Sequence, residues 1–200
     1  MCGILVIRDK KGVDLNRANI SLQKISHRGP DNISYNLINK NLYFGHVRLS
    51  IIDVKDETSN QPYGLNDVIV FNGEIYNYQE LAEKYLANLE NNINGDTKVL
   101  FELLKKYNHD IIKEFNGDWA FTFYDCKNSS LIVSRDRFGA KPLYVYSDSN
   151  IEIYSSEIKP ILNYVDEINF NKDAISKFIK RGNPRYSPFT WFNNIVEFPP

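Results

Sequence analysis

The sequence predicts an α+β fold built from stacked antiparallel sheets covered by helices, on three observations. Strand-forming segments gather toward both ends of the chain, with helical patterns between them. Several strands are paired across short polar turns, the signature of hairpins. Regular strand–helix alternation, which a doubly wound parallel sheet requires, is scarce.

In chain order, residues 4–7 are an uninterrupted Ile-Leu-Val-Ile run and read as a buried strand. Asp14 can cap a helix whose apolar positions Leu15, Ala18, Leu22 and Ile25 follow helical spacing. Strands at 33–38 and 42–49 flank the turn-forming Asn39-Lys40-Asn41. A short strand at 68–71 is expected to stop at Asn72-Gly73. Two helices follow, at 78–89 and 97–107, with Asp96 expected as the N-cap of the second. Hairpins are expected from 119–124 with 131–134 and from 143–146 with 151–154, around the polar turns 127–130 and 147–150. Helices at 157–163 and 172–180 lead into a tail holding Pro184, Pro188, Pro199 and Pro200.

Two hundred residues with 42% hydrophobic and 24% charged side chains suit one generous soluble domain or two small ones. A net charge of −1 argues against electrostatic binding to nucleic acid or to an anionic membrane, so neither is expected as a partner. No apolar stretch approaches the ~20 residues of a membrane span, and no signal-type core is present, so a cytoplasmic location is expected. Cys2 and Cys126 stand too far apart in sequence to suggest a disulfide framework or a zinc site. Cys126, at the end of a strand-like run, is read as a buried structural thiol.

The chemistry is concentrated in a few polar residues. Trimming of Met1 before a small residue would leave Cys2 with a thiol and a free α-amine together, a nucleophile and its base. An α-amine titrates near pH 7.7–8, suited to take a thiol proton at neutral pH. Taken alone, Cys2 reads more readily as an incidental cysteine near a frayed terminus. Asn72-Gly73 is either a tight turn or a pair of donors for an oxyanion, one from the side-chain amide and one from the glycine N–H. Arg48, between apolar strand residues, is a surface residue or a two-point clamp for a carboxylate. Asp96 after Gly95 is a cap or, with Glu74, an acceptor for a ligand ammonium. Together these groups would hold both ends of an α-amino acid. His46 is expected to be structural, with a local partner.

Cys2-Gly3-Ile4, His27-Arg28-Gly29-Pro30-Asp31, Gly45-His46-x-Arg48-Leu49-Ser50-Ile51-Ile52-Asp53, Gln61-Pro62, Phe71-Asn72-Gly73-Glu74-Ile75-Tyr76-Asn77 and Gly95-Asp96-Thr97 occur in that order. With Ser134-Arg135-Asp136-Arg137-Phe138-Gly139-x-Lys141-Pro142-Leu143-Tyr144 and Ser156-Glu157-Ile158-Lys159, they resemble class II glutamine amidotransferases over nearly the whole chain. Among these the chain looks like the N-terminal glutaminase domain of glutamine-hydrolysing asparagine synthetase.

The resemblance implies an N-terminal nucleophile (Ntn) hydrolase, a four-layer αββα sandwich of two stacked antiparallel sheets. It implies that Cys2 attacks the side-chain amide of L-glutamine while its own α-amine moves the proton. Asn72 and Gly73 would form the oxyanion hole. Arg48 would grip the α-carboxylate, Glu74 and Asp96 the α-amine, and Leu49, Ser50, Ile51 and Ile52 would add main-chain contacts. His27 to Asp31 would be a loop flanking the site. No metal or cofactor is implied for glutamine hydrolysis. Lys98 stands where the family usually has Glu, and is expected to point away along its helix.

The glutaminase domain is expected over residues 1–184, with 185–200 beginning a linker toward a C-terminal ATP-pyrophosphatase synthetase domain, in cis or on a separate chain. No Ser-Gly-Gly-x-Asp-Ser phosphate loop occurs here, so ATP and Mg are expected only in that partner. Were Met1 retained, the amine would belong to methionine, and a glutamine-binding domain without turnover becomes the alternative. A different amidation acceptor is the other.

Overall fold

The computed structural model describes residues 1–49, 60–86, 95–182 and 188–200. The strands are β1 (Gly3–Asp9), β2 (Asn32–Asn39), β3 (Leu42–Arg48), β4 (Val68–Ile75), β5 (Gly117–Asp125), β6 (Ser130–Arg135), β7 (Tyr144–Ser147), β8 (Ile151–Ser155) and β9 (Ile195–Glu197). The α-helices are α1 (Leu15–Gln23), α2 (Tyr78–Tyr85), α3 (Asp96–Tyr107), α4 (Ile158–Tyr164) and α5 (Lys172–Arg181). Short 3₁₀ turns lie at Ser26–Arg28 and Asn108–Glu114.

Two antiparallel sheets form, one of six strands in the order β2-β3-β1-β8-β7-β9 and one of three in the order β4-β5-β6. Three apolar clusters explain why they stack. Ile4, Val6, Leu42 and Phe44 of the large sheet meet Val68, Val70 and Ala120 of the small one between the two layers. Alternate residues point the other way: Leu5, Ile7, Tyr43 and Val47 pack under α1 and α4, while Ile69, Phe71, Phe121 and Phe123 pack under α2 and α3. β1 and β3 are therefore apolar on both faces, which accounts for the unbroken hydrophobic run at 4–7. Each fully buried side chain of this kind stabilises the fold by ~1.5–3 kcal/mol. The four layers are α1/α4, large sheet, small sheet and α2/α3, as the sequence leads one to expect.

Local signals were realised unevenly. Asp14 caps α1, its carboxylate accepting from the Arg17 N–H at 3.0 Å. Asn72-Gly73 does not end its strand: β4 continues to Ile75, with Gly73 opposite Trp119. The missing side chain is the reason. A Cβ on Gly73, where φ is +157°, would sit 2.1 Å from the Asp118 carbonyl oxygen, so glycine lets β5 stay close where another residue would force the strands apart. Gly95, at φ +93°, takes the cap of α3 and makes Asp96 the first helical residue instead of the N-cap. Cys126 is exposed, not buried, because the strand leaves the core at the Asp125 turn. Residues 195–197, expected within a linker, form β9 and pair with β7 at the sheet edge.

Candidate active site

The edge strand β4 bounds the site. In an antiparallel ladder, alternate residues direct their backbone groups toward the neighbour and away from it. On β4 the outward N–H groups belong to Ile69, Phe71, Gly73 and Ile75. Ile69 exchanges two bonds with Tyr63, each 2.9 Å. The Phe71 N–H donates to Gln61 Oε1 at 2.6 Å. The Ile75 N–H donates to Asp96 Oδ2 at 3.2 Å. Gly73 is passed over: among the described residues its N–H has no partner. The Asn72 side chain, 1% exposed, likewise leaves Nδ2 buried without a partner among the described residues. A buried donor left unpaired, as Asn72 Nδ2 is, costs about 1–3 kcal/mol, and with the open N–H of half-buried Gly73 beside it the two mark a place suited to an acceptor.

Both border a cleft of about 580 Å³ that also receives Cys2, Arg48, Leu49, Glu74 and Asp96. The fold thus collects seven of the ten expected site residues from β1, β3, β4 and α3. The other three, Ser50, Ile51 and Ile52, lie outside the described residues.

Cys2 precedes β1 and reaches the end of β3. The Leu49 N–H points at Cys2 Sγ at 3.4 Å, and Sγ lies 3.7 Å from the Leu49 carbonyl oxygen. Arg28 holds the cysteine from the other side, Nε donating to the Cys2 carbonyl oxygen at 2.9 Å. Nη1 of the same guanidinium approaches Glu157 Oε1 at 3.3 Å, and Glu157 also meets His27 at 2.8 Å. Desolvation opposes ionisation of Glu157, but these two partners prevail and hold its carboxyl below the usual range. Residues 26–28 form a 3₁₀ turn and supply an anchor for the N-terminus, a role the sequence reading did not assign. Met1 is half exposed, and its sulfur accepts from Arg28 Nη2 at 2.8 Å.

Arg48 is 8% exposed, its Nη1 donating to Asn60 Oδ1 at 2.9 Å. Asp96 opens α3, where helix N-terminal amides favour a negative charge. Burial is the larger influence and pushes its carboxyl above the usual range, with the Ile75 and Thr97 N–H groups pulling the other way. His46 is fully buried and faces the cleft; burial drives it down to about 4, so the ring is neutral near pH 7. Its Nε2 lies 3.3 Å from the Phe71 carbonyl oxygen, a local partner of the expected kind, while Nδ1 has no partner among the described residues. Lys98, expected to point away along its helix, is among the residues that line the cleft. Gln61, Tyr76, Tyr78, Thr97 and Lys141 also line it and were given no role from sequence. For Gln61 a signal existed in the Gln61-Pro62 match, without a chemistry attached to it.

Among the described residues no cluster of His, Cys, Asp and Glu could hold a metal ion, and no helix is long and apolar enough to cross a membrane.

Two adjacent donors without partners among the described residues, an anchored cysteine, an arginine and two carboxylates around one cleft suit an amide whose carrier is an amino acid. Comparison with known proteins agrees. The glutamine amidotransferase domain family matches residues 1–200, and the chain belongs to it. A Methanocaldococcus jannaschii protein named as a glutamine-hydrolysing asparagine synthetase is 42% identical over 98% of this chain and 42% of its own length. Asparagine synthetase B of Escherichia coli is 31% identical over 81% of this chain and 30% of its own. The chain spans less than half the length of these relatives. The glutamine phosphoribosylpyrophosphate amidotransferase of B. subtilis superposes with a TM-score of 0.67 at 18% identity, covering 82% of this chain and 43% of that one, which establishes the shared fold.

Proposed function

We propose that this domain hydrolyses the side-chain amide of L-glutamine to glutamate and ammonia through a thioester on Cys2. The observation that carries the proposal is the pair of unpartnered donors, Asn72 Nδ2 and the Gly73 N–H, in the cleft that receives Cys2.

In the reaction, Arg48 binds the α-carboxylate while Asp96 and Glu74 accept from the α-ammonium, with Leu49 to Ile52 contributing main-chain contacts. The side-chain amide is then carried toward Cys2. Once Met1 has been removed, the α-amine of Cys2 takes the thiol proton, and Sγ adds to the amide carbon. The negative oxygen that forms receives the Asn72 and Gly73 donors; one such donor contributes ~100- to 1,000-fold in rate. Collapse breaks the C–N bond, and the proton held by the α-amine passes to the departing nitrogen as ammonia. Water then attacks the thioester, releasing glutamate and returning the proton to sulfur. The sequence needs no metal and no cofactor.

The ammonia is consumed by an ATP-dependent synthetase domain, with ATP and Mg bound there. The greater length of the relatives and their names support this reading. Phe138, 90% exposed on a loop pinned by Asp136 and Arg135, offers that partner a rigid apolar contact.

The test is intact mass before and after a glutamine-mimicking diazo-ketone, together with a glutaminase assay of Cys2→Ala. Loss of one methionine, a single adduct on Cys2 and no measurable turnover by Cys2→Ala are expected. Turnover by Cys2→Ala would overturn the assignment. Retained Met1 with no adduct, but with glutamine still bound, would identify a glutamine-binding domain without chemistry. Met1 beside Arg28 at the cleft is the observation that keeps this second reading in view.

A further inference from the structure

We infer that Gln61 is a positioning residue that sets the oxyanion strand. The inference rests on the glutaminase reading above and assigns a residue to that same site.

Gln61 is 6% exposed, and its backbone oxygen and both polar atoms of its side chain have partners. Its backbone oxygen accepts from Ser34 Oγ on β2, which fixes where the side chain starts. Its Oε1 accepts the outward Phe71 N–H at 2.6 Å, and its Nε2 lies 3.4 Å from Thr97 Oγ1 in the first turn of α3. One side chain therefore ties the residue before Asn72 to the residue after Asp96. His46 holds the other half of the same residue through the Phe71 carbonyl oxygen.

The two ties are unequal. The short bond to Phe71 belongs to the strand that carries both free donors, and nothing else among the described residues satisfies that N–H. Asp96 has its own support from the Ile75 N–H. Loss of Gln61 would leave a buried amide unpaired one residue from Asn72 and free β4 to shift at the oxyanion, while the amino-acid end of the site stays in place.

The experiment measures two dissociation constants on the chain with Met1 removed. L-glutamate reports the amino-acid end alone. The open-chain form of L-glutamic γ-semialdehyde, in equilibrium with its cyclic imine, adds the Cys2 thiol across its carbonyl, forming an S–C bond and placing the resulting oxygen at the oxyanion donors. Cyclisation scales every apparent constant alike, so the ratios between variants stand. For Gln61→Met, aldehyde binding should weaken about 30- to 100-fold while glutamate binding stays within about threefold. Gln61→Glu keeps an acceptor for the Phe71 N–H, and a Thr97 hydroxyl can donate to it. It should therefore recover aldehyde binding to within about fivefold of the parent chain.

Equal loss of both ligands in Gln61→Met, or no loss of either, overturns the positioning role. So does a Gln61→Glu chain as impaired toward the aldehyde as Gln61→Met. If Gln61→Met fails to fold, Gln61→Asn, one methylene too short to reach both partners, takes its place, with the same selective loss expected and equal loss or none overturning the role. A parent chain that binds glutamate but not the aldehyde sinks the glutaminase reading itself, a result distinct from aldehyde binding that is simply indifferent to residue 61.

Discussion

Two strands of eight residues each lie at the edge of a sheet, and the protein treats them in opposite ways. β2 pairs only with β3, and its side chains alternate between sheltered and exposed, with Ile33, Tyr35 and Leu37 open to solvent. Among the described strands β4 pairs with β5 alone, yet most of it is buried and its outward amides at Ile69, Phe71 and Ile75 are taken up by Tyr63, Gln61 and Asp96. An exposed edge can leave its amides to water at little cost. A largely buried edge cannot, so the one outward amide of β4 without a partner among the described residues, that of half-buried Gly73, points to use. The lesson is that a free donor carries information only where burial makes freedom expensive.

Gly73→Ala should have the largest effect. The new Cβ would collide with the Asp118 carbonyl oxygen at 2.1 Å, so β4 and β5 must separate where the oxyanion donors sit. Turnover of glutamine should fall at least ~1,000-fold, since both donors move together. Stability should fall by about 3 kcal/mol or more, read by chemical denaturation. An alanine variant with near-parental turnover would show that β4 need not hold its register.

Asn72→Ala separates function from folding. Its kcat for glutamine should fall ~100- to 1,000-fold with KM little changed, because the amide acts on an oxygen that becomes charged only during reaction. Stability should not fall in proportion, because a buried amide without a partner is a burden on the folded state. A large drop in stability with kcat preserved would make Asn72 a structural amide and remove half of the proposed oxyanion hole.

The amino-acid end of the cleft should respond to pH. Only the ionised Asp96 accepts an ammonium, and burial places its carboxyl above the usual range. KM for glutamine should therefore rise as pH falls through that raised value, about tenfold per pH unit on the acid side, where an ordinary carboxylate would still be ionised. Asp96→Asn should raise KM and abolish that acid limb. An unchanged limb in Asp96→Asn would assign it to another group.

Much of this was legible in sequence because it depends on side-chain type and order. The double-sided apolar run at 4–7, the hairpin turns and the Asp14 cap each encode a local preference that packing then obeyed. Asn72-Gly73 was ambiguous because the dipeptide favours a tight turn in isolation, and only the approach of β5 at Asp118 and Trp119 keeps it extended. Cys126 looked buried because strand periodicity does not reveal where a strand leaves the core. The matched motifs held Arg28 and Gln61, yet their roles were not legible for a related reason: both act on backbone groups of distant segments, at Cys2 and Phe71.

The smallest effect is expected on β2, where the contrast with β4 is most exposed to refutation. Tyr35 is 44% exposed and stacks on Tyr43 with ring centroids 5.5 Å apart, a cross-strand contact at the rim of the α1-covered core. Tyr35→Thr forfeits that stacking, about 0.5–1 kcal/mol, while threonine keeps the strand preference. The outward amides of β2 are not used by the cleft, so kcat and KM for glutamine should stay within about twofold of the parent. Ser34 lies next to Tyr35 and reaches Gln61, so the experiment also measures how far a disturbance at one edge travels to the other. A Tyr35→Thr chain that loses tenfold or more in kcat would show that the two edges act as one unit through Ser34 and Gln61. A silent one leaves catalysis with β4, where among the described residues Gly73 alone has an outward amide without a partner.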